Sequence, residues 1–326
     1  MRRLLAAAAA LSLMAGAALS ADMTLRLHTL VKSPHPYNDM AEFMAAEMSA
    51  RTDGAIEIKI FDSGQLGQDP AVIGELGLGT IDLMISSTSN AVKQVPEFQI
   101  FSMPYLFAGF DDLMGRVGQD SVAMEFFRGK YAERSLSMQL LALGGSGTRN
   151  MSNALGPVTG LDDIQGIKMR TPPNPMMSKT WEALGTLPVS VAWGELYASI
   201  QTGVAQGLES SIAGYTGSKL YEVAPYLALT GHEIQANHIS MSDRAWGRLS
   251  EDQQAIVLAV AQEAVELGIE RARFYDGNLV ETLKTEHGVT VTEPDVSEFR
   301  DRLVALQAEL ASELALDPAL EALMAE

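Results

Sequence analysis

Residues 75–87 read ELGLGTIDLMISS, and residues 199–211 read SIQTGVAQGLESS. Both stretches predict the same order of a helix, a glycine, a buried strand and a pair of serines. In a parallel sheet, ligands bind beyond the carboxyl ends of the strands, so the serines of two such units would face a ligand together. Two unrelated turns that both use serine also explain the pattern, so the repeat alone does not establish two lobes.

An alternation of strand and helix continues on both sides of these stretches. The first half predicts strands at 24–30, 56–60 and 80–86 and helices at 37–51 and 70–79. The second half predicts strands at 164–170, 204–210, 229–242 and 289–291 and helices at 176–184, 194–202, 250–274 and 296–314. Ser250 and Gln253 form a capping box at the start of the long helix. This rhythm predicts an α/β fold.

The composition limits the possible partners and cofactors. The chain has 326 residues, a net charge of −18 and no cysteine. Its length suits two domains of ordinary size. The negative charge argues against nucleic acid as a partner, because long-range repulsion opposes association. The lack of cysteine removes disulfides, thiolate metal sites and a cysteine nucleophile.

The first 21 residues predict a secretory signal peptide. Arg2 and Arg3 are followed by the apolar run 4–19 and by small residues that suit cleavage near Ser20 or Ala21. An uncleaved anchor is the alternative. The prediction is a mature protein in the periplasm, with 41 acidic against 21 basic residues after cleavage.

No catalytic motif is complete. The segment Gly144–Thr148 reads GGSGT and lacks the last glycine of a nucleophile elbow, and no phosphate-binding loop is present. No pair of histidines has the spacing of a helical metal site, and each histidine is interpreted as structural. The five histidines are His28, His35, His232, His238 and His287. We therefore expect neither a metal nor a cofactor, and no enzyme activity.

Two arginines are candidates for binding an anion. Arg170 ends an apolar strand just before Pro172 and Pro173, where a side chain would point into a ligand crevice. Its planar guanidinium can hold a carboxylate by two parallel hydrogen bonds. Arg149 lies in a polar, glycine-rich stretch that we expect to join the two halves. An interdomain salt bridge is the structural alternative for both arginines.

At these residues the sequence resembles the DctP-type substrate-binding proteins of TRAP (tripartite ATP-independent periplasmic) transporters. The resemblance spans nearly the whole mature chain and rests on the order and spacing of several motifs. These motifs are FDSGQLG at 61–67, GTID at 79–82, FSMPYLF at 101–107, GIKMRTP at 166–172, WEALG at 181–185, IQTGV at 200–204 and KLYEV at 219–223.

The resemblance implies a two-lobed clamshell with a sheet in each lobe and a long helix bridging them. It places residues 22–147 and 236–273 in the first lobe and residues 148–235 and 274–326 in the second.

The resemblance also implies the site. Arg170 would grip the ligand carboxylate, with Arg149 assisting and Trp193 packing on the ligand. Ser210 stands where the family usually has asparagine, which enlarges that corner of the pocket, and Tyr215 could fill the space. Asn237 and Ser87 would add polar contacts.

The expected function is the capture of a small organic acid and its delivery to a TRAP membrane permease. A C4-dicarboxylate, a hydroxy or keto acid and a sugar acid all remain open, and a monomer is expected. An extracytoplasmic enzyme on the same scaffold and a ligand-sensing module without transport are the alternatives.

Overall fold

The computed structural model describes residues 21–314 and 317–324. The predicted signal peptide therefore lies outside the described residues, apart from Ala21. The strands are β1 (Met23–Thr29), β2 (Ile56–Phe61), β3 (Leu83–Ser87), β4 (Met138–Asn153), β5 (Lys168–Thr171), β6 (Leu187–Ser190), β7 (Gly207–Ser211), β8 (Tyr226–Ser242) and β9 (Thr290–Thr292).

Helices alternate with these strands, as the sequence predicts. They are α1 (Pro36–Arg51), α2 (Asp69–Leu78), α3 (Phe110–Val117), α4 (Val122–Glu133), α5 (Pro175–Ala183), α6 (Leu196–Gln201), α7 (Ile212–Gly217), α8 (Asp243–Trp246), α9 (Glu251–His287), α10 (Ser297–Leu314) and α11 (Pro318–Met324). Among the described helices, none combines the length with the apolar character that a bilayer span requires. The predicted α/β fold is confirmed.

The strands form one sheet in the order β2-β1-β3-β8-β4-β7-β5-β6, and β9 pairs with β8. β1 pairs in parallel with β2 and β3, and β5 pairs in parallel with β6 and β7. We call the elements packed on β1–β3 the first lobe and those packed on β5–β7 the second lobe. The half-sheets of the two lobes are continuous because the long strands β4 and β8 belong to both.

The strand β4 was not predicted from the sequence. The polar, glycine-rich stretch 147–153 was expected to be a junction between the halves, but it lies inside the strand, as does the glycine-rich segment Gly144–Gly147. Glycine is needed there because a Cβ on Gly144 would come within 2.7 Å of Val265 on α9. The pairing of β4 with β8 shifts register between Gly145 and Thr148, which marks the crossing between the lobes.

Helix α9 bridges the two lobes, as the resemblance implied. The capping box of Ser250 and Gln253 starts it, and Gly288 ends it in a left-handed conformation with a φ of 66°. The helix has 37 residues and a length of about 55 Å, and it extends beyond its predicted end at Phe274. Val260 packs in the first-lobe core and Leu283 in the second-lobe core.

The C-terminal segment departs from the predicted lobe assignment. Residues 274–326 were assigned to the second lobe, and α10 does pack there through Phe299 and Leu303. Leu320 and Leu323 of α11, however, are buried in the first-lobe core with Phe127 and its neighbours. The end of the chain therefore crosses from one lobe to the other.

Candidate ligand-binding site

A cleft lies where the carboxyl ends of strands from both lobes meet. The lining residues are Leu30, Val31, His35, Tyr37, Asp69, Ser87, Ser89 and Asn90 from the first lobe, Arg149, Arg170, Pro172, Trp193, Ser210, Ser211 and Gly214 from the second, and Gln235 from β8.

Arg170 is the charged centre of the second-lobe wall. It is only 1% exposed, and its Nε donates a hydrogen bond of 2.8 Å to the carbonyl of Val191. Among the described residues, no carboxylate lies within 4.0 Å of its guanidinium. Burial lowers the pKa of Arg170 to about 10, so the group remains charged at neutral pH. A buried cation without an acidic partner is prepared to bind an anion from solution.

Trp193 forms the aromatic part of the same wall. It begins a short 3₁₀ turn, Trp193–Glu195, and its ring lies 5.7 Å from the Cζ atom of Arg170. This distance is in the range of a cation–π contact. The far edge of the indole also approaches Gly214, where an added Cβ would lie 3.3 Å from the ring.

Arg149 lines the cleft, but its charge is already matched within the protein. Its Nε donates to the carboxylate of Glu209, and its Nη2 donates to the Glu209 carbonyl at 3.1 Å. Although burial opposes both charges, the attraction between them holds the pKa of Arg149 above and that of Glu209 below its usual range. Among the described residues an ion pair thus forms at Arg149 and not at Arg170, and it joins the neighbouring strands β4 and β7 and is not the interdomain salt bridge that the sequence suggested.

A second carboxyl group faces this ion pair from β8. Glu233 Oε1 lies 3.9 Å from Arg149 Nε, and Glu233 is 6% exposed. Burial raises the pKa of Glu233 to about 8, and the charge of Glu209 adds to this effect while Arg149 opposes it. Glu233 is therefore largely protonated at neutral pH, which leaves one negative charge beside Arg149.

Asp69 is the main acidic group of the first-lobe wall. It is 1% exposed and accepts hydrogen bonds from Ser86 Oγ and, at 2.8 Å, from Asn90 Nδ2. Its other oxygen lies 3.0 Å from His28 Nε2. These contacts fix the carboxylate at the start of α2, where the helix N-terminus favours a negative charge.

His35 and Tyr37 line the cleft from the start of α1. His35 Nδ1 accepts a hydrogen bond of 3.1 Å from the backbone N–H of Tyr37, so it caps the helix. Burial lowers the pKa of His35 to about 3, with Arg149 adding to the effect. The neutral ring then carries its proton on Nε2. His35 was interpreted as structural, and the structure gives it a place in the cleft as well.

The two serine pairs of the sequence repeat meet at the cleft. Ser87 is the last residue of β3 and accepts from the N–H of Ser89, while Ser211 is the last residue of β7 and accepts from the N–H of Gly214. Both serines thus cap the next turn. Ser210 lines the cleft beside them and is 4% exposed. The repeat therefore corresponds to equivalent positions in the two lobes.

Two predicted site residues lie away from the cleft lining. Tyr215 is 1% exposed in the second-lobe core, where its hydroxyl donates to the carbonyl of Ala224 at 2.7 Å. It therefore does not fill the corner beside Ser210. Asn237 is fully buried in β8, with its amide oxygen facing Gly144 and α9. The remaining five, Arg170, Arg149, Trp193, Ser210 and Ser87, line the same cleft.

Sequence reasoning missed most of the first-lobe wall. Asp69, Tyr37 and Gln235 were not selected, although Gln235 Nε2 donates to the Tyr37 hydroxyl at 3.1 Å within the cleft. One signal was available. A polar residue directly precedes a proline at His35-Pro36 and at Asp69-Pro70, and each pair opens a helix after a parallel strand.

The site has the chemistry of binding. In the part of the chain that the structure describes, no group of three histidine or acidic side chains has the arrangement of a metal site. The cleft combines one unmatched cation, an aromatic wall and several fixed polar groups, which together suit a small anion that carries hydroxyl groups.

Comparisons with known proteins agree with this description. A family model described as bacterial extracellular solute-binding protein, family 7 (DctP), matches residues 27–313. A solute-binding protein of Sulfitobacter sp. strain NAS-14.1 is 30% identical over 99% of this chain and 98% of its own length.

Two solved structures show the same fold. A TRAP periplasmic solute-binding protein from Polaromonas sp. JS666, bound to D-erythronate, has a TM-score of 0.86 at 28% identity and covers 93% of this chain and 98% of its own. One from Chromohalobacter salexigens, with bound D-glucuronate, has a TM-score of 0.83 at 26% identity and covers 92% and 97%. The chain thus belongs to family 7 of the bacterial extracellular solute-binding proteins, the DctP family of TRAP transporters, whose members bind solutes for transport.

Proposed function

We propose that this protein binds a sugar acid or a related hydroxy acid with a single carboxylate in the periplasm and delivers it to a TRAP membrane permease. The observation that carries the proposal is Arg170, a buried guanidinium in the cleft with no acidic partner among the described residues. A ligand carboxylate would accept hydrogen bonds from its free Nη groups, and exclusion of water by the closed cleft would strengthen them.

The charges of the cleft favour one carboxylate over two. Arg170 and Arg149 are the arginines of the lining, and Arg149 is paired with Glu209. A second ligand carboxylate would lie in a cleft whose other fixed charge is the carboxylate of Asp69. Burying that carboxylate without a partner is unfavourable by several kcal/mol, on the order of a hundredfold or more in affinity. A C4-dicarboxylate is therefore the less suitable ligand.

The first-lobe wall can form hydrogen bonds with the hydroxyl groups of a ligand. Asp69 can accept hydrogen bonds, and neutral His35 can donate one from Nε2. Ser89 and Asn90 add groups that lie at the same wall. The solved relatives that hold D-erythronate and D-glucuronate bind ligands of this chemistry, with one carboxylate and several hydroxyls.

Export completes the proposal. The sequence of residues 1–21 supports cleavage and release into the periplasm, where proteins of this family work with a membrane permease. Intact-mass measurement of the protein recovered from the periplasm of the native host would test the step. The expected chain begins near Ala21 or Asp22, and a chain that retains Met1–Leu19 would contradict it.

A thermal-shift screen tests the ligand class. D-Erythronate, D-glucuronate and D-galacturonate are compared with succinate and malate and with uncharged glucose. A ligand that binds only the folded protein raises its melting temperature. We expect a shift with at least one hydroxy monocarboxylate and none with glucose. A shift with succinate that exceeds that of every hydroxy monocarboxylate would overturn the proposed ligand class.

A further inference from the structure

At the mouth of the cleft, a side chain of the first lobe contacts the backbone of the second lobe. Gln68 Oε1, from the first lobe, accepts a hydrogen bond of 3.0 Å from the backbone N–H of Gly194 in the second lobe. Gln68 occupies the N-cap position of α2, yet its side chain makes no capping hydrogen bond there. The side chain reaches across the cleft mouth instead of stabilising its own helix.

Two second-lobe residues at this mouth, Gly194 and Gly217, are glycines that the first lobe approaches closely. An added Cβ on Gly194 would lie 2.6 Å from Gln68 Nε2, and one on Gly217 would lie 2.6 Å from the Lys32 carbonyl oxygen. Neither glycine has a positive φ, so the local backbone would accept alanine. At Gly217 the approaching atoms belong to the backbone, so the close approach of the first lobe requires glycine there. At Gly194 the approaching group is the end of the Gln68 side chain, so an added methyl group would displace that side chain from its hydrogen bond to the Gly194 N–H.

The hydrogen bond between Gln68 and the Gly194 N–H also affects the aromatic wall of the cleft. Gly194 follows Trp193 in the same short 3₁₀ turn, and Trp193 lies against Arg170. A hydrogen bond from the first lobe to this turn therefore fixes the aromatic wall only when the lobes are together.

We propose that Gln68 is a positioning residue that joins the closed lobes through the Gly194 N–H, with Gly217 seated on the Lys32 carbonyl as a second closure contact. The expected effect of Gln68 on ligand affinity depends on the proposed function, whereas its expected effect on closure of the lobes does not. The open form makes neither the Gln68–Gly194 nor the Lys32–Gly217 contact. Removing these contacts therefore lowers the fraction of protein in the closed form. A ligand that needs the closed form then binds with an affinity reduced by the lost closed fraction.

The substitutions Gly194→Ala and Gly217→Ala are the direct test. They place a methyl group against the other lobe only in the closed form, while alanine in place of glycine restricts the unfolded chain and does not weaken folding. We expect an unchanged or higher melting temperature without ligand in both variants. Affinity for D-glucuronate should fall about tenfold or more in Gly217→Ala, where the methyl group meets backbone, and by a smaller factor in Gly194→Ala, where it displaces only the end of the Gln68 side chain. Gly156→Ala is the matched control, because nothing lies within 4 Å of its added Cβ.

Closure is measured directly by pulsed electron paramagnetic resonance. Ala71→Cys on α2 and Ala198→Cys on α6 are exposed positions on opposite sides of the mouth, and the chain has no native cysteine, so two nitroxide labels attach specifically. Distances are recorded without any acid and with D-glucuronate. We expect a short-distance population that is preserved in Gly156→Ala and reduced in both Gly194→Ala and Gly217→Ala.

Variants of Gln68 test the hydrogen bond itself. Gln68→Leu removes the acceptor and should reduce the short-distance population, whereas Gln68→Glu keeps an acceptor oxygen and should restore it. The affinity loss for Gln68→Leu should be about threefold to tenfold. A short-distance population in the three mouth variants Gly194→Ala, Gly217→Ala and Gln68→Leu that equals that of Gly156→Ala would overturn the inference.

The result that would contradict the proposed function differs from the result that would contradict the closure contacts. Arg170→Met removes the proposed anchor of the acid but leaves the mouth untouched, so its acid-free distance distribution should match that of the wild type. If D-glucuronate and the other hydroxy acids bind no variant, the proposed ligand class is contradicted. In that case the label-to-label distances of Gly194→Ala, Gly217→Ala and Gly156→Ala, recorded without acid, still show whether the mouth contacts hold the lobes together.

Discussion

The guanidinium of Arg170 lies over the indole ring of Trp193, with its Cζ atom 5.7 Å from the ring centroid. Arg170 Nε is held by the carbonyl of Val191, two residues before Trp193 in the chain. One segment of the second lobe therefore fixes both the orientation of the cation and the aromatic wall beside it. The remaining donors of the guanidinium are left for a ligand.

Replacing Arg170 should lower ligand affinity without lowering the stability of the folded protein. In Arg170→Met the apolar volume is largely kept, but the buried charge is lost. We expect affinity for the bound hydroxy acid to fall about a hundredfold or more, since a buried charge pair is lost. The ligand-free protein should be as stable as the wild type or more stable, because an unmatched buried cation is removed.

Calorimetry and urea unfolding measure the two quantities for Arg170. Arg273→Ala is the control, because Arg273 is an exposed arginine whose ion pair with Asp111 lies at the surface. Unchanged affinity in a folded Arg170→Met protein would contradict the role of Arg170.

The indole of Trp193 should report ligand binding. A carboxylate at Arg170 and a sugar ring against the indole would change its surroundings and thus its fluorescence. Trp193→Phe should remove the signal change, and Trp193→Ala should lower affinity by about tenfold through lost apolar contact. Titration with the acid checks this, with Trp246→Phe as control. A change of the same size in Trp193→Phe would place the responding tryptophan elsewhere.

Ser210 should control the size of the ligand. The family usually has asparagine at this position, and the shorter serine leaves space at the cleft. Ser210→Asn should therefore lower affinity for D-glucuronate relative to the smaller D-erythronate, by about tenfold in the ratio. Calorimetry with the two acids measures this ratio. Ser210→Ala, which keeps the space, should leave the ratio close to that of the wild type, and equal ratios in all three proteins would exclude a role in size selection.

Glu233 should make stability depend on pH. Its pKa of about 8 in the folded protein exceeds the usual value of 4.5, so the folded state holds the proton more tightly than the unfolded state does. Stability should fall as pH rises between these two values, and the loss is complete above the folded pKa. Glu233→Gln should remove this loss and raise the free energy of unfolding at about pH 9 by on the order of 5 kcal/mol.

Urea unfolding of Glu233→Gln and wild type at about pH 5 and about pH 9 provides the measurement. Glu125→Gln serves as the control because Glu125 is exposed on α4. If the difference between Glu233→Gln and wild type is the same at both pH values, Glu233 does not titrate in this range.

Local sequence predicted most elements but not the crossing strand. Hydrophobic alternation identified β2, and the Ser250 capping box identified the start of α9, because both signals act within a few residues. The stretch 147–153 was interpreted as a junction, because a polar, glycine-rich segment inside a strand looks locally like a linker. The predicted strand 164–170 starts at Lys168 in the structure, because Gly166 takes a φ of 70° and separates the strand from a 3₁₀ turn at Leu161–Ile164.

The second-lobe wall of the cleft was easier to predict than the first. Arg170 and Trp193 lie in segments that resemble the family closely, so their place could be inferred residue by residue. Asp69 becomes part of the site only through contacts with His28, Ser86 and Asn90, which come from three separate segments. Such a wall is assembled by tertiary structure, and no local pattern specifies it.

The crossing of β4 and β8 determines how the molecule can open. The ladder between these strands shifts register at three places, between Leu140 and Ala142, between Gly145 and Thr148, and between Arg149 and Met151. Irregular pairing of this kind increases local twist and leaves fewer hydrogen bonds to distort. Because both strands run through the two lobes, a change in the angle between the lobes must be taken up by twisting β4 and β8 at these irregular positions, and not by a loose linker.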